Sequence, residues 1–457
     1  MADERQGTVT IQSLLESGAI TGHKDGNYGS QYPRVEEFGP VGVPFLTAKS
    51  LNDGKVDIDG APRLANDKAD VLRFGFVQPG DVLLSHNATV GRVAIVPEVA
   101  GRVLIGTSLT YFRVDPSKIL PRYLAAYFSG SDFQSQLAAV MSQTTRNQVP
   151  ITAQRRLRIV LPALAEQRAI AHILGTLNDK IELNQRMSES LEAMTRSLFK
   201  SWFVDFDPVC AKAEGLDSGL PKPLSDLFPA TLQDSPIGPV PKGWKVERFD
   251  AHITAARGLS YNGEGLRNDR TGLPMHNLNS IYEGGGYKHE GIKYYAGEYR
   301  DKHLLKPGDM IVTNTEQGFD HLLIGHAAIV PRCYGETGLY SHHIYRVRHT
   351  PSSPFSAHYL VELFNNRRWH HWISGFSNGT TINMLPIDAL QMPLLVVPPI
   401  ELVEKFTPLA EAAHLHVEEN TAQTLTLGAL RDTLLPKLIS GELRVSDGAR
   451  IAAEAGA

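Results

Sequence analysis

The sequence predicts an α+β fold built twice, each copy closing on a long coiled-coil helix. Three observations predict it. Segments recur along the chain at a fixed offset of 236 residues. Each copy mixes short β-like runs with one helical stretch. Each copy then ends in apolar residues spaced by alternating steps of three and four, the signature of a coiled-coil seam. The length of 457 residues fits two or three domains.

The repeat organises the whole chain. VPITAQRRLRIVLPAL from Val149 corresponds to LPIDALQMPLLVVPPI from Leu385. The same offset carries Pro150 to Pro386, Pro162 to Pro398, Asn184 to Asn420, Leu191 to Leu427 and Leu198 to Leu434. Upstream, VQPGDVLLS from Val77 resembles LKPGDMIVT from Leu305, and GRVAIVP from Gly91 resembles GHAAIVP from Gly325. Those matches slip by a few residues, as loop insertions would cause. The fixed offset marks a rigid shared element.

Residues 1–162 form the first domain. Its strand-like runs are Val82–Ser85, Val93–Val96, Leu109–Val114 and Arg158–Leu161, and its helical stretch is Pro121–Met141. Proline at a helix entry followed by apolar spacing of three to four supports the helix. Residues 240–398 repeat the pattern, with SAHYLVELFNNRRWHHWISG as the helical stretch. Both domains read as α+β with a mostly antiparallel sheet.

Residues 163–206 form a central helix whose seam holds Ile170, Leu174, Leu177, Ile181, Leu191, Met194, Leu198 and Trp202. Residues 399–445 form its counterpart, with Leu402, Phe406, Leu409, Ala413, Leu427, Leu430, Leu434 and Leu438. Asn184 and Asn420 occupy matching seam positions, where a polar residue fixes register at some cost in stability. The plainer alternative is two ordinary amphipathic helices, each packed on its own domain. About 40 residues at ~1.5 Å each make a rod of roughly 60 Å, long for that duty. Between the copies, residues 207–239 are rich in proline and glycine and read as a semi-extended connector. Residues 446–457 read as a tail.

Composition narrows the function. With 42% hydrophobic and 21% charged residues, the chain is globular. No apolar run is long enough to span a membrane. The start, MADERQGTVT, shows no secretory pattern, and Cys210 and Cys333 are too few for a disulfide framework. A reducing, cytoplasmic setting is expected. The net charge of −4 hides a division: residues 1–162 and 240–398 each carry +2, residues 163–239 and 399–457 each −4.

Four polar loops in the basic domains carry groups suited to reading bases. SQTTRNQVP from Ser142 holds Thr145, Arg146, Asn147 and Gln148. SNGTTINML from Ser377, its repeat partner, holds Asn378, Thr380, Thr381 and Asn383. SHNATVGR from Ser85 holds His86, Asn87 and Arg92. NTEQGFDH from Asn314 holds Asn314, Glu316, Gln317 and His321. Arginine pairs bidentately with guanine, asparagine or glutamine with adenine, and glutamate accepts from cytosine. Turn chemistry explains the same composition and stays open as an alternative. No phosphate loop, dinucleotide fingerprint, HExxH or nuclease-like carboxylate set is present, and Asp53-Gly54 reads as a turn. No catalytic residue and no metal site are expected.

LAEQRAIAHILGTLNDKIELNQRMSESLEAMTRSLFKSWFVDFDPV from Leu164 and LRDTLLPKLISGELRV from Leu430 resemble the helical regions of type I restriction-modification specificity subunits (HsdS). The two-copy layout and the loop ahead of each helix resemble that family as well. The resemblance implies a non-catalytic subunit of a methyltransferase/endonuclease complex, its two target recognition domains each reading half of an asymmetric double-stranded DNA target. It implies that the two long helices pack antiparallel as a spacer. Leu177, Ile181, Asn184, Leu191, Leu198, Asn420, Leu427 and Leu434 would serve helix packing and partner docking, two HsdM modification subunits would dock on this body, and HsdR ATP-dependent subunits would join. S-adenosylmethionine, ATP and Mg belong on those partners, with no cofactor on this chain. Two alternatives remain: the specificity chain of a modification system without a restriction motor, or a scaffold or inhibitor that binds protein.

Overall fold

The computed structural model describes residues 7–52, 54–142, 147–317, 322–379 and 382–457. The chain divides into two units, residues 1–183 with 423–457 and residues 184–422. Each therefore contains one α+β domain and part of both long helices.

In the first unit, a four-stranded antiparallel sheet runs in the order Val93–Ile95, Val82–Ser85, Leu109–Val114, Ile20–Asp25. A five-stranded sheet runs Phe38–Gly39, Arg63–Leu64, Val43–Leu46, Val103–Ile105, Phe76–Val77, with one parallel pair between Val43–Leu46 and Val103–Ile105. The second unit repeats both orders. Its four strands are Ala327–Ile329, Met310–Thr313, Ile344–His349 and Ile253–Arg257, and its five-stranded sheet has the equivalent parallel pair, Leu273–His276 with Gly338–Tyr340. The fold is α+β, mostly antiparallel and duplicated, as the repeat requires. Asn52 pairs with Lys55 across a two-residue connection in which Gly54 has φ +80°, a conformation glycine adopts without strain.

The single helical stretch expected at Pro121–Met141 is two helices, Pro121–Ser129 and Ser131–Met141. Gly130 between them is extended, and a Cβ there would lie 2.5 Å from Leu435 Cδ2. The chain bends at a glycine that packs closely against that leucine. In the second unit Asn366 makes the same corner between Ala357–Asn365 and Arg367–Ser374, its side chain accepting from Arg368 N at 3.0 Å.

The long helices are Leu164–Phe203 and Ile400–Ser440. They pack antiparallel: Ser188 meets Asn420 and Phe199 meets Phe406 in the second unit, while Asn178 meets Arg431 in the first. Leu177 and Leu427 are fully buried, with Leu434 and Leu438 nearly so, in the first unit's core beside Phe112, Phe128 and Phe133. Phe199, Trp202 and Phe406 hold the same place in the second. Fully burying each such side chain contributes about 1.5–3 kcal/mol. Two expected seam residues do not enter it: Met194 is 69% exposed and Leu409 54%. A straight helix drifts against a strict heptad, and the buried positions there are Phe199 and Ala410 instead.

Two more expectations are corrected. The connector holds a helix, Asp207–Ala213, because Pro208 sits in its first turn, where its missing N–H costs nothing. The expected tail is a helix, Val445–Glu454, with Ala452 buried in the first unit's core. The C-terminal long helix stops at Ser440 and Gly441 follows with φ +73°.

Candidate nucleic-acid interface

The four polar loops come together in pairs, one pair per unit, and the backbone does it. In the first unit Val149 N donates to His86 O at 2.8 Å and Ala88 N to Asn147 O at 3.1 Å, with a bridge between Asn87 and Gln148. In the second unit Leu385 N donates to Asn314 O at 2.8 Å, and Thr315–Gln317 pairs antiparallel with Ile382–Met384. Val149 and Leu385 are repeat equivalents, so one backbone frame carries both surfaces.

A buried polar chain supports the first pair. Gln154, fully buried, donates through Nε2 to Thr110 Oγ1 and Val149 O, each at 3.0 Å. Its Oε1 lies 3.1 Å from His23 Nε2, and Thr110 Oγ1 lies 2.9 Å from His86 Nδ1. With both amide hydrogens spent, Gln154 Oε1 is the acceptor, so His23 carries its proton on Nε2. Thr110 can then donate to His86 Nδ1. Burial pushes His23 down to about 4 and lowers His86, keeping both rings neutral. The second unit replaces this chain by Tyr345, whose hydroxyl donates to Leu385 O at 2.8 Å, and by Thr315 Oγ1 with His343 Nδ1 at 2.9 Å. Burial lowers His343, with His342, Arg257 and Lys293 adding to the effect.

The structure sorts the expected contact residues. Asn87, Asn147, Gln148, Gln317 and Asn378 lie at the paired loops with their residues at least partly exposed. His86, Asn314 and Asn383 are buried there and shape the loops from beneath. Glu316 is a framework residue: its carboxylate accepts from Leu322 N at 2.9 Å, Leu323 N at 3.1 Å and Ile324 N at 2.9 Å. Arg92 is surface-placed, yet its Nη1 donates to Ala48 O at 3.1 Å, Leu51 O at 2.9 Å and Asn52 Oδ1 at 3.2 Å. Thr145, Arg146, His321, Thr380 and Thr381, and the turn residue Asp53, lie outside the described residues. Sequence reasoning missed Gln154 and Thr110, because nothing in the polar run after Pro150 marks the glutamine that ends the short helix Ile151–Gln154 as buried. It also missed Arg257, whose Nε donates to His342 O at 3.3 Å beside the second pair.

On the helices, Leu177, Asn184, Leu427 and Leu434 are buried, while Ile181, Leu191, Leu198 and Asn420 are half-buried. Asn420 Nδ2 donates to Ser188 Oγ at 3.3 Å, and Ser188 Oγ to Asn184 O at 3.0 Å, so the seam asparagines share one polar contact. Among the described residues no group of three or more metal-ligating side chains converges, and no helix is long and apolar enough to cross a membrane.

These features define a duplicated protein with a paired-loop surface on each copy and a shared pair of helices. A family model, the type I restriction modification DNA specificity domain, matches residues 34–193. The MjaIX specificity subunit of Methanocaldococcus jannaschii is 22% identical over 422 residues, 91% of this chain and 90% of that one. The HindI specificity subunit of Haemophilus influenzae is 29% identical over 37% of this chain and 36% of its own. The crystal structure of the type I restriction-modification S subunit from M. genitalium covers 96% of this chain and 97% of its own, with a TM-score of 0.56 at 12% identity, a likeness of fold. Over nearly its whole length the chain is thus similar to type I restriction-modification specificity subunits, HsdS.

Proposed function

We propose that each α+β domain reads one half of a split, asymmetric duplex target through its paired loops. The long helices hold the half-sites at a set spacing. Two HsdM subunits dock on them, bringing S-adenosylmethionine and methylating adenine, and ATP- and Mg-dependent HsdR subunits join the complex. The chain itself carries no catalysis, and the assembly works in the cytoplasm. One observation carries this reading: the same backbone frame recurs in both units while the side chains on it differ. A common frame with diverged side chains suits two different half-sites, because base edges are read by side chains and the frame only positions them. Duplication also gives the approximate twofold body that two identical partners need. On the central helix Met187 and Met194, one heptad apart, are exposed and offer an apolar stripe to such a partner.

Exchanging residues 1–162 for another family member's first domain tests the reading. Methylation mapping in cells should show one half of the target replaced and the other kept. A change in both halves, or in neither, refutes it.

A further inference from the structure

In the second unit the paired loops form a ribbon with two distinct faces. On the strand Ile382–Met384, Asn383 is buried while Ile382 is 59% exposed and Met384 39%. Directly across from Ile382 stands exposed Gln317, and directly across from Asn383 stands buried Glu316. Side chains opposed in an antiparallel pair lie close on the same face, so Gln317 and Ile382 form one outward-facing couple. A large β-branched apolar side chain held open to water gains nothing from folding. Its position next to a glutamine is therefore informative.

Resting on the DNA-reading function proposed above, we propose that Gln317 and Ile382 together read an A·T base pair in the major groove of the second half-site. A two-stranded ribbon fits that groove. Adenine presents N7 and the N6 amino group there, the pair that a glutamine amide matches bidentately. Thymine presents the 5-methyl group, the apolar feature of the groove edge, on which Ile382 packs. One A·T pair shows both side by side, and a G·C pair shows neither. Charge complementarity supports a duplex occupant. Arg257, whose Nε donates to His342 O at 3.3 Å, stands beside His343, whose Nδ1 is 2.9 Å from Thr315 Oγ1 on the same ribbon, and can meet a flanking phosphate. The repeat sharpens the contrast. At the offset of 236 residues, Ile382 and Met384 correspond to Arg146 and Gln148, so the second copy carries apolar groups where the first carries polar ones. The two half-sites then differ in base chemistry at this register.

The test is selection from a randomised duplex library by the full chain assembled with its modification subunits. The wild type should enrich a bipartite site whose second half holds a fixed A·T pair. Replacing that thymine by uracil should weaken wild-type binding about three- to tenfold, the effect of one lost methyl contact. Ile382→Ala should bind the thymine and uracil duplexes alike and leave the first half unchanged. Gln317→Ala should relax the same base pair. A bipartite site whose second half contains no thymine sensitive to uracil exchange overturns the assignment even if every variant misfolds, because that arm needs the wild type alone. So does Ile382→Ala that folds and keeps its full thymine preference. Failure to enrich any sequence overturns the DNA-reading function itself, a separate outcome.

Discussion

Replacing Gln154 by leucine removes the junction of the buried chain beneath the first loop pair. Leucine is close to glutamine in size, so packing around it is nearly conserved and the polar loss dominates. Two groups lose their partner: the Val149 carbonyl and the His23 Nε2–H. Thr110 loses a donor but keeps His86. Each buried polar group left unpaired costs about 1–3 kcal/mol. Two of them, less about 1 kcal/mol gained by burying the leucine, give a net destabilisation of about 1–5 kcal/mol, a sizeable share of the ~5–15 kcal/mol that stabilises a typical domain. The loss should appear in the first unit only. All four tryptophans, Trp202, Trp244, Trp369 and Trp372, belong to the second unit. Tryptophan fluorescence in urea therefore follows the second unit and should not move, while amide hydrogen exchange in Leu109–Val114 should accelerate. The Val149 anchor would loosen as well, weakening selectivity at the first half-site. A hydrogen-exchange change worth less than about 0.5 kcal/mol, or a shifted fluorescence midpoint, refutes the junction role.

Glu316→Gln should destabilise the second unit by about 2–3 kcal/mol, because a neutral amide replaces a carboxylate holding three backbone N–H groups; the fluorescence midpoint in urea measures it, and an unchanged midpoint would release Glu316 for a base contact. Both units should lose stability as pH falls from about 6.5 towards 4, since burial lowers His23 in the first unit and His326 in the second to about 4. A folded pKa below the unfolded one means stability that is full above the unfolded value and lost on acidification through the folded one. His23→Phe should flatten that slope in the first unit alone, read by hydrogen exchange at stepped pH. Ending the chain at Gly441 removes Val445–Glu454, whose Gly448 sits against Leu438 and Ile173. Uncovering those two side chains should cost the first unit about 2–4 kcal/mol and leave tryptophan fluorescence unmoved; a shift in the fluorescence midpoint would contradict the assignment of that helix.

Features resting on local chemistry or on the repeat were legible from the residues. Val82–Ser85 and Leu109–Val114 are strands because their apolar runs end at turn residues, and both long helices follow from periodicity that no strand could satisfy. The convergence of the polar loops was legible only in part: equivalent placement in both copies hinted at a shared role, while the pairing depends on strands that topology brings together. Features resting on distant partners were not legible. Gly130, where the expected single helix divides, packs closely against Leu435, far along the chain. Arg92 looks like a free guanidinium until Ala48 and Leu51 present their carbonyls to it. Glu316 looks like a base-reading acid until Leu322, Leu323 and Ile324 turn their amides toward it.

The helices show why sequence position is a poor guide to what a residue stabilises. Leu177 and Phe199 lie on one continuous helix, yet Leu177 packs in the first unit with Leu427 and Leu434, and Phe199 in the second with Phe406 and Tyr359. Each domain core is thus completed by a helical segment encoded far from it. Val445–Glu454, at the far end of the chain, belongs to the core that begins near Ile11. The exposed side chains of the paired loops are free to diverge, because Asn87, Asn147, Gln148 and Gln317 take no part in either core. The divergence between Gln154 and Tyr345 shows the limit of that freedom. Even beneath an exchangeable surface, each copy must satisfy the carbonyl of Val149 or Leu385 with some buried donor, and the two copies have solved that one requirement with different chemistry.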